Sequence, residues 1–105
     1  MKRSKNNVVG MIKKKVRQID PGAEVILFGS RARGEARPDS DWDILILVDE
    51  EATFERERYF RHELFNLELT LGEAFSVFIF NKSEWNLKYR NTDFYKNVIN
   101  EGLSV

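Results

Sequence analysis

The sequence predicts an α+β domain with elements in the order α-β-β-α-β-α and a small mixed sheet of at least three strands packed against helices. Two observations carry that prediction. Three short runs, EVILF (24–28), WDILILV (42–48) and FSVFIF (75–80), are β-branched, aliphatic or aromatic and are bounded by turn or loop residues. Around them, apolar residues recur at helical rather than alternating spacing.

The first helix is read from Val9, Ile12, Val16 and Ile19, with lysines and arginines between them. Asp20-Pro21-Gly22 stops it, because proline disfavours helical geometry at the preceding residue and glycine permits the turn. EVILF then ends at Gly29 as a buried strand, and WDILILV is a second strand followed by an acidic loop. From Thr53 to about Leu71, Phe60, Leu64, Leu67 and Leu71 lie on one helical stripe, with Arg56, Arg58, Arg61 and Glu63 on other faces. Gly72 suits the C-cap. FSVFIF is the third strand, and Asn81-Lys82-Ser83-Glu84 is a turn into a helix start. The last helix runs from about Thr92 to Glu101 and ends at Gly102. The helix between the second and third strands suits a right-handed parallel crossover.

At 105 residues the chain is expected to be one domain, residues 1–105, without room for a separate substrate domain. Seventeen basic and seventeen acidic side chains balance, so no global field draws it to nucleic acid, which is not expected as the main partner, or to an anionic membrane. The basic stretch KRSKNNVVGMIKKK reads accordingly as an ordinary amphipathic helix. There is no cysteine, which excludes disulfides and thiolate metal sites and fits a reducing cytosol. No apolar run approaches a membrane span or a signal peptide, so the expected location is the cytoplasm.

The chemistry is concentrated in GSRARGEARPDSDWDILILV (29–48). Thirteen residues separate the first two strands, long for a hairpin, and loops of that length are often functional. A strand ending in Gly29-Ser30 and turning into a short helix offers free backbone N–H groups, a close approach at glycine and a hydroxyl donor. Arg31 and Arg33 add charge in a geometry that suits phosphate oxygens. Alone, this would be an N-capped turn with solvated arginines. Asp41 and Asp43, however, point to one face of a strand while Trp42 and Ile44 take the other. Two adjacent carboxylates repel each other, so a raised pKa or a bound cation is expected. Mg²⁺ commonly binds through one or two carboxylates plus substrate phosphates, which reconciles the cradle with the acids.

Gly29-Ser30, ten intervening residues and Asp41-Trp42-Asp43 resemble the signature of the nucleotidyltransferases of the DNA polymerase beta superfamily. The fuller text GSRARG…SDWDILI is similar to the minimal nucleotidyltransferase (MNT) branch. The resemblance implies the polymerase beta palm-like fold and transfer of a nucleoside monophosphate from a nucleoside triphosphate, ATP for preference, to an acceptor hydroxyl. It implies that Gly29, Ser30, Arg31 and Arg33 bind the nucleotide, and that Asp41 and Asp43 are the catalytic pair holding two Mg²⁺ ions. It also implies a helical partner of the HEPN type, with this chain as the antitoxin of the pair.

The family's third carboxylate belongs on a neighbouring strand, yet FSVFIF has no acid; Ser76 or Phe78 stands in its place. Serine is neither an anionic ligand nor a base at neutral pH. The nearest upstream acid, Glu73, is the candidate replacement, with Glu68 a turn further back. The alternatives are therefore a nucleotide- or partner-binding module without turnover and, more weakly, a transferase acting on a small molecule such as an aminoglycoside. His62, the only histidine, is expected to be solvent-exposed, and Trp42 and Trp85 to be core.

Overall fold

The computed structural model describes residues 5–105; the first residues of the basic N-terminal stretch lie outside them. Helix α1 (Lys5–Ile19) buries Val8, Ile12 and Val16, spaced four residues apart, while Val9 and Ile19 are only partly buried. Asp20 closes the helix: its Oδ1 accepts from the Gly22 N–H at 3.0 Å and its carbonyl from the Ala23 N–H.

Strand β1 (Glu24–Phe28) and strand β2 (Trp42–Val48) are antiparallel, with Glu24 opposite Leu47 and Phe28 opposite Asp43. Between them lies a five-residue helix, α2 (Gly29–Arg33). Helix α3 (Phe54–Leu71) crosses to strand β3 (Phe75–Asn81), which runs parallel to β2 with Ser76 opposite Asp43. The crossover is the parallel one its length requires. Two helices follow where the sequence pattern resolves one fully, α4 (Lys82–Lys88) and α5 (Asp93–Glu101). A two-residue strand, β4 (Leu103–Ser104), then pairs with β1 and completes the sheet order β3-β2-β1-β4.

Local chemistry fixes the helix ends. Thr53 caps α3 by accepting from the Arg56 N–H, and Gly72 ends it at φ 68°, donating to the Glu68 carbonyl. Asn81 Oδ1 accepts from the Ser83 and Glu84 N–H groups at the start of α4, and Thr92 Oγ1 from Tyr95 N–H at the start of α5.

The sheet is covered on both faces, which is why β2 reads as a nearly continuous apolar run. Trp42, Ile44, Ile46 and Val48 pack with Val25 and Leu27 under α1 and α3, against Ile12, Phe60 and Leu64. Leu45, Leu47 and Phe28 face the other way, toward Trp85 of α4 and Val98 of α5. Rings of Phe28, Phe78, Phe80, Phe94 and Trp85 meet there, Phe94 edge-on to Trp85 at 5.4 Å. Both tryptophans are 1% exposed, so neither presents a free ring, and His62 is on the surface. Among the described residues, no helix is long and apolar enough to cross a membrane.

Candidate active site

The register of β1 against β2 builds the site. Phe28 is opposite Asp43, so the chain leaves β1 at Gly29 directly beside the Asp43 carboxylate. Gly29 has φ 73°, and a Cβ there would collide with Asp43 Oδ2. The glycine is required twice, by its left-handed backbone and by the close approach of the acid.

Asp43 is half-buried on the face shared with Leu45, and Asp41 is exposed just before the strand. Burial is the main cause that pushes the Asp43 carboxyl above the ordinary aspartate range. The charge of Asp41 adds to it, that of Arg33 opposes it, and that of Glu101 adds again. The expected pairing of the two carboxylates is thus present. Ser76, opposite Asp43 in the ladder, donates from its hydroxyl to Asp41 Oδ2 at 3.3 Å. It stands where the missing acid was expected, while the Phe78 ring lies in the aromatic cluster with Phe28 and Phe94.

The two arginines of the loop separate. Arg33 is exposed and donates from Nη1 to both oxygens of Glu101, at 3.1 and 3.0 Å. Hydrogen bonding and the charge of Glu101 raise its pKa further, so it is a permanent cation. Arg31 turns inward, its side chain 15% exposed. Its Nη2 donates to the Ser40 carbonyl at 2.8 Å and to the Pro38 carbonyl at 3.4 Å, and its guanidinium lies 4.3 Å from the centre of the Trp42 ring. Ser30 is partly buried on α2, where its carbonyl accepts from Gly34 and Glu35.

Glu73 is engaged elsewhere than at the aspartates. Its Oε2 accepts from Trp42 Nε1 at 3.1 Å and lies 3.8 Å from Arg31 Nη2. Trp42 packs on the face away from Asp43, and Glu73 is tied to that side. Glu68 is occupied too, its Oε1 accepting from the Phe75 N–H. An open depression near Pro38, Asp39, Glu68 and Gly72 includes neither Asp41 nor Asp43 in its lining.

Glu101 is the participant that no motif announces. Besides Arg33, its Oε1 accepts the Gly29 N–H at 3.1 Å, across 72 positions of sequence. The last turn of α5 thereby delivers a carboxylate to the glycine turn. Only its place immediately before the helix-ending Gly102 marks it in the sequence.

Among the described residues, no three His, Cys, Asp or Glu side chains form a cluster able to hold a metal ion. Asp41 and Asp43 are hard oxygen donors, and the charge of Asp41 helps to raise the Asp43 carboxyl. Such a pair fits a divalent cation that arrives with further oxygens, as Mg²⁺ does on a triphosphate.

Several solved structures share this architecture. A toxin–antitoxin complex with AMP-PNP superposes with a TM-score of 0.62 at 18% identity, over 97% of this chain and 72% of that one. The structure of a tri-AMPylated Shewanella oneidensis HEPN toxin with its MNT antitoxin gives 0.64 at 18% identity, over 96% and 71%. A Sulfolobus solfataricus protein assigned as a nucleotidyltransferase gives 0.57 at 22% identity, over 93% and 76%. At these identities the likeness is one of fold. A search of curated proteins by sequence finds no match. Residues 9–101 match the family model of the nucleotidyltransferase domain, so the glycine turn, the aspartate pair and the sheet that joins them belong to a member of that family.

Proposed function

We propose that this chain is a Mg²⁺-dependent nucleotidyltransferase that transfers AMP from ATP to a hydroxyl of a HEPN-type partner protein, acting as the antitoxin of that pair. The observation that carries this is the register that sets Gly29-Ser30 beside Asp43, with Asp41 on the same face. It puts an anion-accepting turn and two carboxylates, neither in an ion pair among the described residues, at one end of one strand pair.

In this reading Gly29 N–H and the Ser30 hydroxyl take phosphate oxygens, and Arg33, exposed at the same turn, neutralises them. Asp41 and Asp43 would hold two Mg²⁺ ions. When bound, the metal supplies charge stabilisation to the attacking and leaving oxygens of an in-line displacement. The bond from the α-phosphorus to the acceptor oxygen forms as the bond to pyrophosphate breaks, and the hydroxyl proton passes to solvent. Such a reaction draws on the cytoplasmic nucleotide pool. The choice of nucleotide and acceptor is supported by the neighbours of similar fold, one bound to AMP-PNP and one beside an AMPylated HEPN toxin.

A second reading, a nucleotide- or partner-binding module without turnover, is favoured by one feature: Ser76 occupies the ladder position opposite Asp43 where an acid is expected. Calorimetric titration with Mg-ATP tests what the two share. Replacing both acids, Asp41→Asn with Asp43→Asn, is expected to abolish the Mg²⁺-dependent part of the affinity. Unchanged Mg²⁺-dependent affinity in the double variant would refute the site. Transfer of label to an acceptor separates the two readings.

A further inference from the structure

We propose that Arg31 is a positioning residue for Asp41 and not a phosphate ligand, its guanidinium locked by Trp42 and Glu73 so that it fixes the end of the loop that carries the acid. The inference rests on the reading of Asp41 and Asp43 as the Mg²⁺-binding pair.

Asp43 is fixed by the sheet, being paired with Phe28 on one side and Ser76 on the other. Asp41 is not, because the ladder begins at Trp42. Its place depends on the loop arriving at Ser40 and on the single bond from Ser76. Arg31 grips that loop at two points, the Pro38 and Ser40 carbonyls. The Ser40 carbonyl belongs to the planar peptide unit whose nitrogen is that of Asp41, so orienting one orients the start of the other. The turn behind it is closed by Ser40 itself, which accepts the Arg37 N–H through Oγ and donates its own N–H to the Arg37 carbonyl.

Arg31 is in turn held from two further directions. The Trp42 ring lies under its guanidinium, and Glu73 takes the Trp42 indole N–H while standing 3.8 Å from Arg31 Nη2. The same nitrogen thus faces two carbonyls and a carboxylate. Its Nε is buried without a hydrogen-bond partner among the described residues, so desolvation has been accepted to keep the fork in this pose. Turning the guanidinium out to a phosphate would release the loop, the ring and the acid together. Arg33, exposed and two residues on, is free of that burden. Glu73 acquires a role here that differs from the third-acid role expected of it.

The test compares wild type, Arg31→Lys and Glu73→Gln by calorimetry with Mg-ATP and with ATP in EDTA. Lysine keeps the charge but loses the planar fork, and glutamine removes the charge that holds it. Both variants are expected to weaken Mg-ATP binding by about tenfold, the scale of losing an outer support of a metal ligand. Affinity for ATP in EDTA is expected to stay at the wild-type value. In a Trp85→Phe background Trp42 is the only tryptophan, and its emission should shift in both variants without any ligand. Equal weakening with and without Mg²⁺ in Arg31→Lys would make Arg31 a phosphate ligand and overturn the proposal. So would wild-type Mg-ATP affinity in a folded Glu73→Gln protein. Failure of wild type to bind Mg-ATP at all would overturn the metal-site reading and this inference with it, whereas wild-type binding with unaffected variants overturns this inference alone.

Discussion

The carboxylate of Asp43 lies against the Gly29 backbone, beside Asp41 and in the field of Glu101. Its pKa is raised by burial first, so folding favours the protonated acid. That contribution is fully present below the unfolded pKa and is lost as pH rises through the higher folded value. At neutral pH ionised Asp43 therefore costs stability. Asp43→Asn should raise the melting temperature at pH 7 by about 2–4 °C, as relief of a like-charge contact of about 0.5 kcal/mol would. The gain should close as pH falls to about 3, where the acid is protonated in both states. Gly29→Ala should lower stability by about 2 kcal/mol or more, since φ 73° and the carboxylate both exclude a Cβ; urea denaturation measures it. Glu101 occupies two donors assigned here to phosphate. Glu101→Gln should therefore tighten Mg-ATP binding about two- to fivefold, the scale of releasing an exposed ion pair; weaker binding would show that the carboxylate orders the turn instead. At this scale the glycine turn was legible because the strand EVILF ends at Gly29, and the facing of Asp43 because its alternation with Trp42 and Ile44 is fixed by the pleat; Asp41 precedes the strand, and its place depends on the loop. The partition between Arg31 and Arg33 was not, because which of two arginines turns inward depends on Trp42 and Glu73, which the loop sequence does not contain.

The helices and strands were legible where pattern and caps agreed. The stripe of Phe60, Leu64 and Leu71 is buried as its spacing requires, between the Thr53 cap and Gly72. Thr53→Ala should cost about 1 kcal/mol in chemical denaturation, the usual worth of an N-cap side chain. Strand β4 was not legible, because two exposed residues after Gly102 carry no periodicity and are ordered only by pairing with Ile26 and Leu27. In α1, Ile12 and Val16 are buried as read and Ile19 packs partly buried against the core, but Val8 is buried ahead of Val9, since the two are equally apolar and the sheet beneath decides between them. Glu101 shares that dependence. Its carboxylate reaches Gly29 because α5 packs across the second face of the sheet, its Phe94 ring against Phe28 and Trp85, a tertiary fact with no local sign.

For the molecule as a whole, one sheet serves two ends. Both faces are covered, by α1 and α3 on one side and by α4 and α5 on the other, and the chemistry is confined to the end where β1 stops and β2 begins. That end gathers Gly29, Ser30, Arg33, Asp41, Asp43 and Ser76. In the proposed function the acceptor hydroxyl belongs to a partner protein. The most direct test is incubation of the chain with [α-³²P]ATP, Mg²⁺ and a HEPN-type protein, followed by detection of protein-bound label. Label is expected on the partner with wild type and is expected to vanish when Asp41 and Asp43 are both replaced by asparagine. Mg-ATP binding without label on any acceptor, or labelling that survives in the double variant, would contradict the account.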